Sequence, residues 1–237
     1  MRIICRVRTR RKEQTRTMKF NLQFFAAPGH TTPLREDTFK NLQLNAGIFL
    51  KNFVYSDIKS AGELKSAINL CVTGSESALG SMVGATRGGG SFTVTRELRQ
   101  PDIDGRRYGF KGDTFVDSVE AQISTTLIEM TADNIVDAFG SATLATSSNG
   151  LVHTIKLDTE IDTNDYLTNI CWIGDLSDGR YVLICLKNAL NQANFSMTWT
   201  DKGEGTLPVE FHAKQAAVND YDQGPFEIVF FDPASSP

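Results

Sequence analysis

Two stretches of this chain alternate apolar and polar residues with a period of two, and this pattern limits the accessible folds more than any other feature. Phe92, Val94 and Leu98 alternate with Thr93, Thr95 and Glu97. Val119, Ala121, Ile123, Thr125 and Leu127 alternate with Glu120, Gln122, Ser124 and Thr126. Successive side chains of a strand point to opposite faces, so each stretch predicts a strand with one face buried and the other wet. Further strands are expected near 151–157, 167–174, 180–186, 195–200, 206–215 and 226–231. Asp178-Gly179 is a favoured hairpin dipeptide between the second and third of these, and Asp201 to Gly205 separates the fourth from the fifth.

Only two short segments carry helical spacing. Ser60-Ala61-Gly62-Glu63 fits a capping box, with Leu64, Ala67, Ile68 and Cys71 following on one face. Thr131 is placed to cap a second helix, with Asp133 near its positive end, Ile135, Val136 and Phe139 as its apolar stripe, and Gly140 to end it. Many short strands with turns about every ten residues predict a mainly β protein, an antiparallel sandwich or barrel with one flanking helix and a short second one. A length of 237 residues suits such a unit.

Between these elements, Gly74 to Gly90 holds six glycines among Ser, Thr and Ala and reads as a long mobile loop. Ser141 to Gly150 reads as a Ser/Thr/Gly link, and residues 26–38 as an extended arm. Residues 220–225 read as a tight turn, with Tyr221 packing on the sheet edge. No apolar stretch approaches the roughly 20 residues that a membrane-spanning helix requires.

Charge is unevenly divided. Residues 1–17 hold seven Lys and Arg against Glu13, a net +6, so with −4 for the whole chain the remainder carries −10. The basic start lacks the apolar core of a secretory signal. Met18 follows it directly, so 1–17 is expected to be a leader outside the natural protein, with a basic nucleic-acid-binding arm as the alternative. The acidic remainder argues against binding DNA by phosphate neutralisation, which needs clustered Lys and Arg. The chain thus divides into the basic leader 1–17, an arm and first strand over 18–59, and a β-sandwich over 60–237 that includes the loop 74–90.

The residues offer little catalytic chemistry. No G-x-S-x-G elbow occurs, and His212 falls on the polar face of its strand with Glu210 and Lys214. The acidic stretches 102–105 and 158–165 do not match a calcium loop, and Arg87-Gly88-Gly89-Gly90 lacks the phosphate-loop spacing. Cys5, Cys71, Cys171 and Cys185 occur singly; the last two lie in apolar runs, where cysteine behaves as a small buried hydrophobe, which points to a reducing compartment. No enzyme, cofactor or metal is expected. An arm, a glycine loop and strand edges in need of partners suit self-assembly.

Four stretches resemble the major tail tube proteins of long-tailed bacteriophages and prophages of Gram-positive bacteria. They are Met18 to Ala26, Thr38 to Phe53, Gly84 to Val94 followed by Arg99 to Gly105, and Gly205 to Ala213 with Tyr221 to Phe231. The stretch 72–83 departs from the family by its length. The resemblance implies a helix-flanked β-sandwich of tail-tube type, hexameric rings whose inner strands join into one barrel, and rings stacked into the virion's DNA conduit. It also implies assembly in the bacterial host, with tape measure, tail terminator and baseplate proteins as partners, and passage of DNA without specific binding. On that reading Arg87, Gly88, Gly89 and Gly90, within 74–90, and the arm at 26–45 are expected at ring-to-ring contacts. Glu120, Asp158, Glu160 and Asp162 are expected to face the lumen, where carboxylates repel phosphates. The competing expectation is a monomeric β-sandwich that binds a host surface or carbohydrate through exposed aromatic platforms, for which Trp172 and Trp199 are the candidates. A β-fold hydrolase ranks third.

Overall fold

A computed structural model describes residues 37–75, 77–216 and 223–233. The leader 1–17, the arm up to residue 36 and Tyr221 lie outside the described residues. The chain divides into Met1–Thr38 and Phe39–Pro237, and the second unit carries the strands and α-helices of the described residues.

Its strands are β1 (Ile48–Lys51), β2 (Ser81–Met82), β3 (Thr86–Arg99), β4 (Phe115–Leu127), β5 (Ala142–Thr146), β6 (His153–Leu157), β7 (Leu167–Asp175), β8 (Tyr181–Asn191), β9 (Leu207–His212) and β10 (Phe226–Phe231). The two helices are α1 (Ala61–Thr73) and α2 (Ala132–Phe139). Eight strands form one antiparallel sheet in the order β2-β1-β7-β8-β9-β4-β3, with β10 added on β8, while β5 and β6 pair separately. The protein is thus mainly β, as the alternation predicts.

The sheet folds over itself through β8. Tyr181 to Leu186 pairs with both β7 and β10, whereas Leu190 and Asn191 pair with β9. Between these parts Asn188 adopts a left-handed φ of 47°, and its Nδ2 donates to the Lys214 carbonyl at 3.1 Å. One strand therefore belongs to two layers. Phe49, Ile170 and Leu186 of the first layer face Ile123, Val209 and Phe211 of the second across the main core. The other face of the first layer, with Leu50, Cys171, Ile173, Leu183 and Cys185, packs under Ala61, Leu64, Ala67 and Cys71 of α1. Burial on both faces explains why β7 and β8 read as nearly unbroken apolar runs rather than alternating ones.

Both helices use the expected N-caps, and Gly74, read from the sequence as the start of a loop, also serves as a C-cap. The Ser60 side chain accepts from Glu63 N at 3.3 Å, while Glu63 Oε2 accepts from Lys59 N at 2.8 Å, and Gly74 closes α1 at φ 67°. Thr131 accepts from Asn134 N at 3.2 Å and Gly140 ends α2 at φ 75°. The buried residues of α2 differ from the predicted stripe. Asn134 and Ala138 are buried, and Val136 and Phe139 lie half-exposed, with Phe139 stacked on Phe195 at 4.0 Å. Burial of Asn134 is tolerated because its Nδ2 donates to the Glu129 carbonyl.

Three expectations require correction. The stretch 74–90 is not one loop: it contains a short 3-10 turn at Ser77–Leu79, β2, and the start of β3. Within the predicted link 141–150, Ala142–Thr146 forms β5 against β6. The stretch 195–200 is not a strand; a single bridge joins Thr198 to Thr206, and Trp199 is 75% exposed. Trp172, by contrast, is half-buried and donates Nε1–H to the Ala46 carbonyl at 2.9 Å. No helix among the described residues is long and apolar enough to cross a membrane.

Candidate assembly surface

The longest ladder of the molecule, β3 against β4, projects beyond the sheet that supports it. β9 covers only Gln122 to Leu127 of β4, and β3 has no partner other than β4 among the described residues. The Ala121 carbonyl still accepts from Ala213 N, just past β9, at 2.9 Å; beyond it the hairpin has no β9 partner, and among the described residues no second strand pairs with the 14-residue β3.

The glycines at its root are explained by local geometry. The register shifts between Thr86 and Gly90, so β3 uses four steps where β4 uses two, and Gly88 and Gly89 occupy the bulge at φ 78° and 75°. Thr125 Oγ1 holds the bulge by donating to the Gly89 carbonyl at 2.8 Å. At Gly90 a Cβ would lie 2.8 Å from both the Phe49 ring and the Ser124 carbonyl, so a side chain is excluded by the close approach of the strands. Arg87, predicted with these glycines as a loop contact, lies in the strand and pairs with Glu204. The four residues line an open groove with Ser124, Pro208 and Glu210. Glycine-rich sequence that suggests mobility supplies instead a bulge and a tight crossing.

One face of this sheet is polar. Ser91 sits beside Ser124 and Glu210, Thr93 beside Gln122 and His212, Thr95 beside Glu120, and Glu97 beside Ser118. Hydroxyl contacts tie the rows: Ser91 to Ser124 at 2.8 Å, and Ser118 Oγ donating to Glu97 at 3.0 Å. Glu97, Glu120 and Glu210 thus share a face on which none of these paired positions is Lys or Arg. His212 Nε2 lies 3.0 Å from Glu210 Oε1.

Of the four acids expected to act together, only Glu120 is on this face. Asp158, Glu160 and Asp162 occupy the exposed connection after β6. Asp158 accepts from Thr143 Oγ1 at 2.6 Å, and Asp162 N donates to Asp165 at 2.8 Å, which are local turn contacts. Sequence reasoning misses Glu97 and Glu210 because strand register, rather than proximity in sequence, places them on the same face as Glu120.

The free end of the hairpin exposes several apolar side chains among charged ones. Leu98, Phe115, Val116 and Val119 are each more than 40% exposed, and Ile103, Tyr108 and Phe110 in the connecting loop are 59%, 81% and 69% exposed. Contiguous exposed apolar patches are a common feature of interaction surfaces. The loop that carries them is held in shape. Asp113 accepts from Phe110 N at 2.7 Å and pairs with Arg106, whose guanidinium also donates to the Pro101 carbonyl at 2.8 Å. The Phe110 N–H, with Thr114 and Arg106 beside it, holds the Asp113 carboxyl below the usual carboxylate range. That contribution is complete above the ordinary aspartate range and is lost as pH falls through the lowered value. Asp113→Asn is therefore expected to loosen the loop, seen at neutral pH as faster tryptic cleavage after Arg106 and Arg107 with the unfolding midpoint little changed.

Among the described residues no group of three or more His, Cys, Asp or Glu is arranged to hold a metal ion. Comparison with family models and with curated proteins finds no match to this chain.

Proposed function

We propose that this chain is a self-assembling structural protein whose copies join into hexameric rings that stack as the tube of a bacteriophage tail, the conduit for DNA. The observation that carries the reading is the β3–β4 hairpin, with its 14-residue edge strand and the exposed apolar side chains of its preorganised end. In one copy alone both are liabilities, since an unpaired edge recruits strands indiscriminately and exposed apolar surface aggregates. Head-to-tail closure among sister copies satisfies both, and cyclic symmetry ends the growth of each ring.

The polar face supports the second half of the reading. Turned toward the lumen, Glu97, Glu120 and Glu210 repel phosphate; their cross-strand partners are the hydroxyl residues Ser118, Thr95 and Ser124, while Arg87 and Lys214 border the adjacent grooves. Tape measure, tail terminator and baseplate proteins are the partners this role entails, and it calls for no catalytic residue or cofactor.

Negative-stain microscopy of the purified full chain tests this directly, with rings or tubes as the expected image. The double variant Phe115→Asp, Val116→Asp is expected to abolish rings and tubes while changing monomer stability by only about 0.5 kcal/mol, since both side chains are exposed. Rings persisting in that variant would remove the hairpin from the interface.

Trp199 favours a second reading. At 75% exposure beside the Asp201–Gly205 turn it offers the aromatic platform of a monomeric carbohydrate-binding or host-adhesion module. Dispersed monomers that bind glycans, with binding lost in Trp199→Ala, would establish that reading instead.

A further inference from the structure

Two cysteines fourteen residues apart in sequence meet across the centre of the first layer. Cys171 and Cys185 are directly opposite one another in the antiparallel β7–β8 ladder. Their Sγ atoms are 2.8 Å apart, and both residues are fully buried beneath α1. Directly opposed residues of an antiparallel pair have Cα atoms about 4.5–5.5 Å apart, within the range of about 4.4–6.8 Å that a disulfide spans. A bond between the two sulfurs therefore requires no shift of the strands.

We propose that Cys171 and Cys185 form an intramolecular oxidation site that takes hydrogen peroxide as its two-electron oxidant and closes a cross-strand disulfide beneath α1. Because both sulfurs belong to one copy, the site is independent of any assembly.

The contact sets up the exchange. Cys171 Sγ donates toward Cys185 Sγ at 2.8 Å, so loss of a proton from either thiol leaves a thiolate against its partner thiol. One sulfur, as thiolate, attacks one peroxide oxygen; the O–O bond breaks, and the departing oxygen leaves with the electron pair and takes the proton that the thiol gave up to become water. That cysteine is then a sulfenic acid. The partner sulfur attacks it, the S–S bond forms, and the S–O bond breaks to release hydroxide, which leaves as water with the partner's proton. The two sulfurs together lose two electrons, and the peroxide gains them as two waters.

The test uses the folded full chain, with its four cysteines. After treatment with hydrogen peroxide the protein is denatured in excess N-ethylmaleimide and mapped by mass spectrometry. The expected result is a linked pair of peptides carrying Cys171 and Cys185, alkylation of Cys5 and Cys71 alone, and full reversal by dithiothreitol. Cys185→Ser should give no link under the same treatment. Alkylation of all four thiols, a link that uses Cys5 or Cys71, or a Cys171–Cys185 link that forms only when the chain is first unfolded in urea would each overturn the proposal.

Discussion

Phe211→Ala is expected to lower the free energy of unfolding by about 3–5 kcal/mol, the range for removing a large aromatic side chain from a filled core. Phe211 is 1% exposed and stands on β9, opposite Ile123 of β4 and Asn191 of β8. It therefore fills the core at the point where the second layer turns into the first. Neighbours fixed in three strands cannot collapse into the space it leaves. Whole domains are stable by only about 5–15 kcal/mol, so the loss is a large part of the total. Urea denaturation followed by tryptophan fluorescence measures it, and a change under about 1 kcal/mol would show that Phe211 does not anchor this core.

Asn191→Ala is expected to cost about 2–4 kcal/mol, by a different route, because backbone groups of Ala138, Ala193 and Glu210 lose their partner. Asn191 is 6% exposed; its Oδ1 accepts from Glu210 N at 2.7 Å, and its Nδ2 donates to the Ala138 carbonyl at 2.5 Å. One amide thus joins the end of α2, β8 and β9. Asn191→Leu should fare no better, since restored volume supplies neither donor nor acceptor. Hydrogen exchange at the Glu210 amide gives a second readout, with protection lost well before global unfolding in the variant.

The architecture is legible in the sequence wherever burial imposes a period. β4 alternates because one face is wet, and β7 and β8 run unbroken because neither is, so both kinds of strand can be read from their residues. α1 is marked by Ser60 and Glu63, whose roles are local. Errors arise where similar residue patterns serve different geometries. Phe195, Met197 and Trp199 alternate as a half-buried strand would, yet only one bridge forms there. Ala142 to Thr146 is a strand composed of small and hydroxyl residues that resembles a linker. The acids after β6 attract notice by being adjacent, whereas Glu97, Glu120 and Glu210 share a face through the register of three separate strands. The Cys171–Cys185 contact is of the same kind: no spacing rule reports a pair that only a particular hairpin alignment places face to face.

β8 has a mechanical consequence through its membership of both layers. Tension on the projecting hairpin passes from β3 to β4 to β9 by hydrogen bonds, then enters β8 near Asn191 and continues past Asn188 along covalent backbone into the opposite layer. Sheets joined only by their side chains can shear apart one at a time. Here the two must yield together, a property suited to a part that bears load.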